Sequence, residues 1–265
     1  MQHVLRALLG RGRARIQHPA WRTANSFELG GLNFCCDYSD YTQHTTRQRV
    51  ILLKPHDFID NYLAMLERIR ARNVLEFGIW QGGSALFLAL AGRLDRLVGI
   101  DLEPPVTALQ EILDNHPVGG RVSLHFETSQ DDRAAVRSIL ARDFGAVPLD
   151  MIVDDASHFY AQTRASFETT FSYLRPGGLY VIEDWGWAHW PDWQKPDHPW
   201  QDREALSNLL FDLTMIIGRN SGLITKIEIL GGAMAVITRG DGLAHGEQLD
   251  LDQLIVSRGR SLGRI

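Results

Sequence analysis

Residues 73–84 read NVLEFGIWQGGS, a short apolar run that leads into a glycine-rich turn. The run predicts a β-strand over 73–77, and the turn predicts the start of a helix over 83–92. In open α/β sheets a turn of this kind lies at the carboxyl edge, where glycines let a ligand approach the backbone closely. The same turn also occurs as a plain strand-to-helix connection, so by itself it does not identify a ligand.

The alternation of apolar runs and helical patterns continues along the chain and predicts repeated βαβ units around a parallel sheet. Further strands are expected at 96–101, 121–127, 149–154 and 178–183, with helices at 106–115, 131–142 and 159–173. Two later runs, Ile224–Leu230 and Ala233–Thr238, are separated only by two glycines and predict an antiparallel hairpin. The expected fold is therefore α/β, with a mostly parallel sheet that ends in a hairpin.

A sheet with this ending resembles the seven-stranded, Rossmann-like sheet of class I methyltransferases, and dehydrogenase domains lack the hairpin. The arrangement Glu-x-Gly-x-x-x-Gly-Gly-Ser also departs from the dinucleotide pattern Gly-x-Gly-x-x-Gly and is similar to methyltransferase motif I. The resemblance implies S-adenosyl-L-methionine as the cofactor. It implies that Gly78 and Gly82 line the methionine end, that Glu76 orients the loop or the cofactor amine, and that Ser84 completes the motif.

Two further positions are candidates for the rest of the cofactor. Asp101 ends the second strand, where a carboxylate can accept hydrogen bonds from ribose hydroxyls, although an NAD site has such a residue too. After the third strand, the segment with Ser129 and Gln130 is similar to the one whose Ser and Gln side chains contact adenine in this family. A helix N-cap at Ser129 is an equally open interpretation.

Four carboxylates and one histidine follow two neighbouring strands: Asp154, Asp155 and His158 after the fourth, and Glu183 and Asp184 after the fifth. Because parallel strands end at the same edge, we expect these groups to share one small space. Crowded carboxylates repel one another, and a hard cation such as magnesium, calcium or manganese removes that conflict.

The pair Asp155-x-x-His158, with Glu183-Asp184 following 28 and 29 residues after Asp155, resembles the site of the macrocin and mycinamicin sugar O-methyltransferases and their cephalosporin-hydroxylase-like relatives. The resemblance covers about residues 70–190. It implies that Asp155, Glu183 and Asp184 bind the metal, that His158 is the general base, and that Asp154 lies nearer the cofactor. A cation that lowers the pKa of a hydroxyl and a histidine that takes its proton would together activate an alcohol. A helix-start histidine bonded to Asp155, and a solvated strand end at 183–184, are the structural alternatives.

Aromatic residues surround the expected site. The loop 185–193 reads WGWAHWPDW, and we expect Trp185, Trp187 and Trp190 to line the acceptor, since flat rings bind apolar sugar faces and aryl rings. A structural lid or a contact between two copies in a homo-oligomer is the alternative. The segment 36–44, which contains Tyr41, is interpreted either as a lid over the cofactor or as an ordinary surface loop.

Composition narrows the remaining possibilities. A formal net charge of -5 and a pI near 6.0 argue against a nucleic-acid binder. Adjacent Cys35 and Cys36 form no disulfide framework and fit a reducing, cytoplasmic setting. No stretch is long enough for a membrane span, and residues 1–16 could form a basic amphipathic helix. We expect an N-terminal extension (1–70) with a lid and a helix over 57–69, a methyltransferase domain (71–240) and a polar tail (241–265).

The leading hypothesis is an O-methyltransferase that depends on magnesium or another divalent cation and acts on a sugar hydroxyl, either free, in an oligosaccharide or on a glycosylated natural product. A catechol or phenol acceptor is the first rival, but catechol enzymes usually carry an Asp-Asn pair after the fifth strand. A hydroxylase or another oxidoreductase is the second, and the missing dinucleotide pattern weighs against a nicotinamide enzyme. A catalytically silent cofactor-binding subunit is the third, and the intact acidic cluster argues against it.

Overall fold

The computed structural model of the protein describes residues 16–37, 39–231, 234–260 and 263–265. Of the basic segment 1–16, for which an amphipathic helix is predicted, all but the last residue lies outside these ranges. Among the described residues, no helix is both long enough and apolar enough to cross a membrane.

The N-terminal extension forms a small four-stranded sheet and a helix. Strands β1 (Ala20–Thr23), β2 (Ser26–Leu29) and β3 (Leu32–Cys35) pair antiparallel, and β4 (Val50–Ile51) pairs parallel with β3. Helix α1 (His56–Ile69) follows and agrees with the predicted helix. The sequence did not reveal the four strands, because each has four residues or fewer and carries too little of the period-two pattern.

A seven-stranded sheet forms the centre of the molecule. Its parallel strands are β5 (Asn73–Phe77), β6 (Arg96–Ile100), β7 (Val122–His125), β8 (Leu149–Asp154) and β9 (Leu174–Glu183). The hairpin β10 (Ile224–Leu230) and β11 (Met234–Arg239) completes the sheet, with β11 antiparallel to both β9 and β10. The order β10-β11-β9-β8-β5-β6-β7 confirms the predicted α/β fold with a terminal hairpin.

Helices cover both faces of this sheet. With α1, the helices α2 (Gly83–Ala91) and α3 (Thr107–Asn115) pack on one face; α4 (Arg133–Asp143), α5 (Tyr160–Thr170) and α6 (Ser207–Arg219) pack on the other. The short α7 (Leu251–Leu254) packs with the second group. Sequence analysis placed no helix over 207–219, so α6 is an addition to the predicted elements.

Helix α2 fixes the N-terminal extension to the central sheet. Its sequence GSALFLALA is apolar all round, and every one of its residues is buried, as expected for a helix covered on both sides. On the side away from the central sheet, Phe87 packs edge-on against Phe27, which itself stacks on Phe34 with ring centroids 4.8 Å apart. The extension is therefore part of the same core, and residues 45–54 are held over the carboxyl edge of the central sheet.

Candidate active site

A cavity of about 460 Å³ lies at the carboxyl edge of the central sheet. Four loops of the predicted site border it: the glycine-rich turn after β5, the end of β6, the β7–α4 loop and the β8–α5 loop. The fifth border is residues 51–54 of the N-terminal extension. A predicted cofactor site is thus enclosed partly by a segment outside the predicted domain.

The glycines of the turn permit close packing against two other segments. Gly78 has φ +79, and a Cβ there would lie 2.1 Å from the carbonyl oxygen of Asp155. A Cβ on Gly83 would lie 2.0 Å from the carbonyl oxygen of Ile51. Gly82 also has a positive φ, of +80, and a side chain there would meet Leu109. The turn therefore packs directly against the loop after β8 on one side and against the N-terminal extension on the other.

Glu76 is fully buried on β5, and neither of its carboxylate oxygens has a hydrogen-bond partner among the described residues. Burial raises the pKa of this carboxyl from 4.5 to about 8, and the nearby Ser84 hydroxyl and the charge of Lys54 offset only part of that rise. An unpaired buried acid costs free energy, so such a group usually serves a ligand or a reaction. A positively charged amine beside Glu76 would remove this cost, which fits the amino group of S-adenosyl-L-methionine. Ser84, which is also buried, lies on the cavity wall at the start of α2.

Asp101 lies at the end of β6, borders the cavity and is bound to backbone amides. Its Oδ2 accepts from the N–H groups of Ile79 and Trp80, each at 2.7 Å, and its Oδ1 accepts from Glu103 at 2.8 Å. Asp101 therefore shapes the glycine-rich turn, whatever else it binds. Glu103, which sequence analysis did not select, also borders the cavity and is exposed.

Ser129 and Gln130 both border the cavity, but their side chains are used differently. Ser129 donates to Asp131, whereas Asp132 caps helix α4, so the N-cap interpretation of Ser129 is wrong. The amide of Gln130 donates to Asp154 Oδ1 at 3.0 Å and accepts from the backbone N–H of Ser157 at 2.8 Å. Gln130 thus ties the end of β8 to the loop that carries His158.

Asp154 does not lie on the cavity wall, unlike the place near the cofactor that the resemblance implies for it. The carboxylate is 2% exposed and accepts hydrogen bonds from Ser166, from Tyr180 Oη at 2.6 Å and from Gln130. Burial raises its pKa to about 6. The structure makes Asp154 a support beneath the catalytic loop, because the alternation of side chains along β8 turns it away from its neighbour Asp155.

The three half-buried groups Asp155, His158 and Asp184 each offer a ligand atom within 4.8 Å of the others. His158 Nε2 lies 4.0 Å from Asp155 Oδ1. His158 and Asp184 both have left-handed backbone conformations, with φ of 58 and 49, which are costly for residues other than glycine and concentrate at functional sites. The strand ends therefore meet as the sequence predicts, and the group has the geometry of a cation site.

Glu183 is bonded to two residues of the N-terminal extension. Lys54 Nζ donates to both of its carboxylate oxygens at 2.7 Å and to Asp155 Oδ2 at 2.9 Å. The hydroxyl of Tyr62 on α1 donates to one of these oxygens, Glu183 Oε1. Lys54 is 3% exposed and Glu183 is 3% exposed, so this is a buried ion pair. The predicted metal ligand Glu183 is thus next to the cluster but bound to a cation of the chain itself.

The charges of this region influence one another strongly. Burial raises the pKa of Asp184, and it raises that of Glu183 with a further contribution from Asp155. Burial lowers the pKa of the Lys54 amine, but Asp155 and Glu183 more than offset this and raise it above its ordinary value. Lys54 is therefore a permanent positive charge within a group of acids that are costly to ionise together.

The tryptophan loop is folded onto itself beside the cluster. Trp187 is 3% exposed, contacts Trp193 and Trp200, and donates its indole N–H to the carbonyl oxygen of His158 at 2.7 Å. Trp185 is half-buried, and its indole N–H has no partner among the described residues. Trp190 is 38% exposed. Of the three predicted acceptor residues, Trp190 offers an open face, whereas Trp187 supports the backbone of the predicted base.

The predicted lid is only partly at the site. Tyr41 is 66% exposed and is not among the residues that border the cavity. Beyond it, Thr45 binds the glycine-rich turn through Gln81: its N–H donates to Gln81 Oε1 at 3.0 Å, and its hydroxyl donates to the Gln81 carbonyl oxygen at 2.9 Å. Contact with the turn thus begins just after the predicted segment 36–44 and continues through Ile51 to Lys54.

Lys54 and Tyr62 are not among the site residues predicted from the sequence. The sequence does contain a feature that indicates Lys54. Lysine is rare in this chain, with only three among its 27 lysine and arginine residues, and Lys54 follows three apolar residues and precedes a proline. A lysine within an apolar segment indicates a buried partner of opposite charge. Tyr62 lies among the buried apolar residues of α1, and the apolar pattern of a helix does not distinguish a tyrosine whose hydroxyl has a polar partner.

Comparison with known proteins agrees with this geometry. Residues 75–185 match a family model described as a methyltransferase domain. The L-olivosyl-oleandolide 3-O-methyltransferase of Streptomyces antibioticus is 41% identical over 86 residues, which are 32% of this chain and 22% of that protein. The mycinamicin VI 2''-O-methyltransferase of Micromonospora griseorubida is 35% identical over 127 residues, 44% of this chain and 28% of that protein.

A solved structure with the same fold is the MycE methyltransferase from the mycinamycin biosynthetic pathway, in complex with Mg and SAH. It superposes with a TM-score of 0.52 at 27% identity, over 70% of this chain and 50% of that chain. The matches thus span less than a third of the two curated relatives and half of the solved chain. The family model covers the glycine-rich turn and both acidic strand ends, since residues 75–185 contain all of these.

Proposed function

We propose that this chain, whose residues 75–185 form a methyltransferase domain of the class I fold, is a metal-dependent, S-adenosyl-L-methionine-dependent O-methyltransferase acting on a sugar hydroxyl of a glycosylated natural product. One observation carries the proposal: Gly78 places the cofactor turn directly against Asp155 of the cation cluster. A methyl donor in the cavity and a hydroxyl at the cluster would therefore be neighbours.

The residues around the cavity fit the cofactor. Glu76, buried on β5 next to the turn, supplies a carboxylate for its amine. Gly78 and Gly83 place backbone on the cavity wall, and Asp101 and Ser129 border the part of the cavity proposed for the ribose and adenine. The cofactor would supply a methyl group on a positively charged sulfur. Gln130, on the cavity wall, and Asp154, behind it, fix the loop after β8 that carries His158.

The donor set also fits a divalent cation. Asp155 and Asp184 present carboxylate oxygens on one side, and Glu183 is the third carboxylate that we propose as a ligand. Oxygen donors of this kind suit magnesium and manganese. A bound cation would supply positive charge that favours the ionised form of an acceptor hydroxyl.

His158 is the residue that we propose to accept the hydroxyl proton, at Nε2. Its Nε2 lies 4.0 Å from Asp155 Oδ1, at the edge of the acidic cluster. The indole N–H of Trp187 donates to the backbone carbonyl of His158. This hydrogen bond fixes the backbone from which the imidazole extends toward the cluster. Such positioning is a large part of what a catalytic base requires.

The acceptor class rests on the relatives, both of which are named for sugar-bearing acceptors. The exposed face of Trp190 and the half-buried Trp185 are proposed to contact the acceptor. The same proposal includes a cytoplasmic location, no nucleic-acid partner, and domain limits at 1–70, 71–240 and 241–265. In the tail, the backbone of Ile265 and the side chain of Arg264 bind α6 and the residues just before it.

The proposal is tested by incubating purified protein with S-adenosyl-L-methionine and magnesium against a panel of acceptors. The panel contains mycinamicin VI, L-olivosyl-oleandolide, simple deoxysugars and a catechol, and mass spectrometry detects the gain of one methyl group. Methylation of the glycosylated acceptors supports the proposal. Methylation of the catechol alone would replace the sugar by a phenol, and no methyl gain on any acceptor would contradict it.

A further inference from the structure

The cation that the structure itself places in the acidic cluster is the amine of Lys54. It is buried and lies 2.7 Å from both oxygens of Glu183 and 2.9 Å from Asp155. Its Nζ also lies over the rings of Phe58 and Tyr62, 5.9 and 5.7 Å from their centroids. A lysine with such contacts holds a defined position and is not a solvated surface charge.

We propose that Lys54 is an internal counter-ion of the metal site: it holds Glu183 and Asp155 in place before a divalent cation binds, and it competes with that cation for Glu183. The inference rests on the proposed function, because it assumes that a cation binds at Asp155 and Asp184. It adds a positioning residue from the N-terminal extension, outside the matched methyltransferase domain.

The charge balance supports competition. Asp155, Glu183 and Asp184 carry three negative charges when ionised, and Lys54 reduces their sum to -2, which a divalent cation neutralises. Without Lys54 the same carboxylates would attract the cation with the full -3. Since charges a few ångströms apart interact strongly in a partly buried site, loss of the lysine charge should strengthen cation binding.

The contacts of Glu183 support the same conclusion. Both oxygens already accept from Lys54, and one also accepts from Tyr62. A divalent cation can therefore gain Glu183 as a ligand only if the lysine gives up part of its contact. Asp155 Oδ1 and Asp184 carry no such bond to the lysine, which leaves them as the first carboxylates that a cation meets.

The position of Lys54 is fixed by its neighbours along the chain. The Ile51 carbonyl packs on Gly83, Thr45 binds Gln81, and α1 begins at His56, just after the lysine. The backbone on both sides of Lys54 is therefore held, and its amine, which also donates to Asp155 Oδ2, stays in the site. Lys54 therefore adjusts how tightly a divalent cation binds while it continues to order the carboxylates.

The test measures manganese binding by calorimetry, without cofactor or acceptor, in wild type and three variants. Lys54→Gln removes the charge and keeps a hydrogen-bond donor, Lys54→Arg keeps the charge, and Tyr62→Phe removes only the neutral donor to Glu183. We expect Lys54→Gln to bind manganese at least about tenfold more tightly than wild type, which corresponds to about 1.4 kcal/mol. Lys54→Arg should bind no more tightly than wild type, and Tyr62→Phe, which leaves the charge balance unchanged, should change manganese binding less than Lys54→Gln does.

Equal or weaker binding by a folded Lys54→Gln, with manganese bound by the wild type, would overturn this inference and leave the proposed function standing. Absence of binding in both proteins would overturn the metal site itself. Thermal unfolding covers the case in which Lys54→Gln is unstable alone, because manganese would replace the missing charge. Manganese should then raise the Tm of Lys54→Gln more than that of wild type, and an equal or smaller rise would contradict the competition.

Discussion

Two buried glutamates lie near the carboxyl edge of the same sheet, and they differ in their hydrogen-bond partners. Glu76 on β5 and Glu183 on β9 are 0% and 3% exposed. Glu183 is bonded to a lysine and a tyrosine of the N-terminal extension, whereas Glu76 has no hydrogen-bond partner among the described residues. The chain thus supplies a counter-charge for one buried acid and leaves the other unpaired.

The difference separates the two halves of the site. A buried carboxylate without a partner is costly, and the fold tolerates that cost where a ligand is expected, at the cofactor turn. On the side of Glu183 the chain carries its own cation, so the acids can be assembled before any ligand arrives. Changes near Glu76 should therefore alter cofactor binding, and changes near Glu183 should alter cation binding and turnover.

The largest effect is expected at His158. His158→Ala removes the proposed proton acceptor and should lower kcat by about 10²–10⁴-fold, the usual contribution of a positioned base. Affinity for S-adenosyl-L-methionine and for manganese should change little, because the alanine leaves Glu76 and the carboxylates in place. Steady-state kinetics measures the loss in kcat, and calorimetry measures the two affinities. An unchanged kcat would remove His158 from the mechanism.

The next effect concerns the unpaired glutamate. Glu76→Gln removes the carboxylate proposed to bind the cofactor amine and should weaken S-adenosylhomocysteine binding at least about tenfold, or about 1.4 kcal/mol. Manganese affinity should stay near that of wild type. If calorimetry shows the reverse pattern, the division between the two glutamates is wrong.

A smaller effect separates two tryptophans of one loop. Trp190→Ala removes an open face and should raise the acceptor KM about twofold to tenfold, as for the loss of one aromatic contact. Trp187→Ala removes the indole that fixes His158 and should lower kcat more than it changes that KM. Equal effects of both variants on the acceptor KM would indicate that Trp187 contacts the acceptor directly.

The pH dependence of stability gives the last comparison. In the folded protein the pKa of Glu76 is about 8, above its ordinary value of 4.5, so the folded state binds this proton more tightly than the unfolded state. Its contribution to stability is complete below about pH 4.5 and is lost as the pH rises to 8. Denaturant unfolding should show Glu76→Gln losing less stability than wild type across that interval. Parallel pH profiles would contradict the assignment of a protonated Glu76.

The sequence predicted the central sheet and the meeting of its acidic strand ends, because both follow from local patterns. Strand ends such as Asp155 and Glu183 are placed by the order of parallel strands alone. The structure places the side chain of Asp154 differently from its prediction, since only the alternation along β8 decides which of two adjacent aspartates faces the cavity.

The N-terminal contribution could not be predicted in the same way. Lys54 reaches Glu183 across 129 residues of sequence, and no periodicity reports a contact between segments so far apart. The strands β1–β4 are too short for a pattern, and the apolar α2 does not show from its sequence that a second sheet covers it. Trp187 was predicted on the acceptor wall because composition reports aromatic rings but not their burial.

The central claim is that a divalent cation at Asp155 and its neighbours is needed for methyl transfer to a hydroxyl. Its most direct test is the rate of methyl gain on the best glycosylated acceptor with magnesium, after EDTA, and after magnesium is restored. We predict turnover in the first and third conditions, none in the second, and S-adenosylhomocysteine affinity that EDTA leaves unchanged. Full turnover in EDTA, or normal turnover by Asp155→Ala, would contradict the claim.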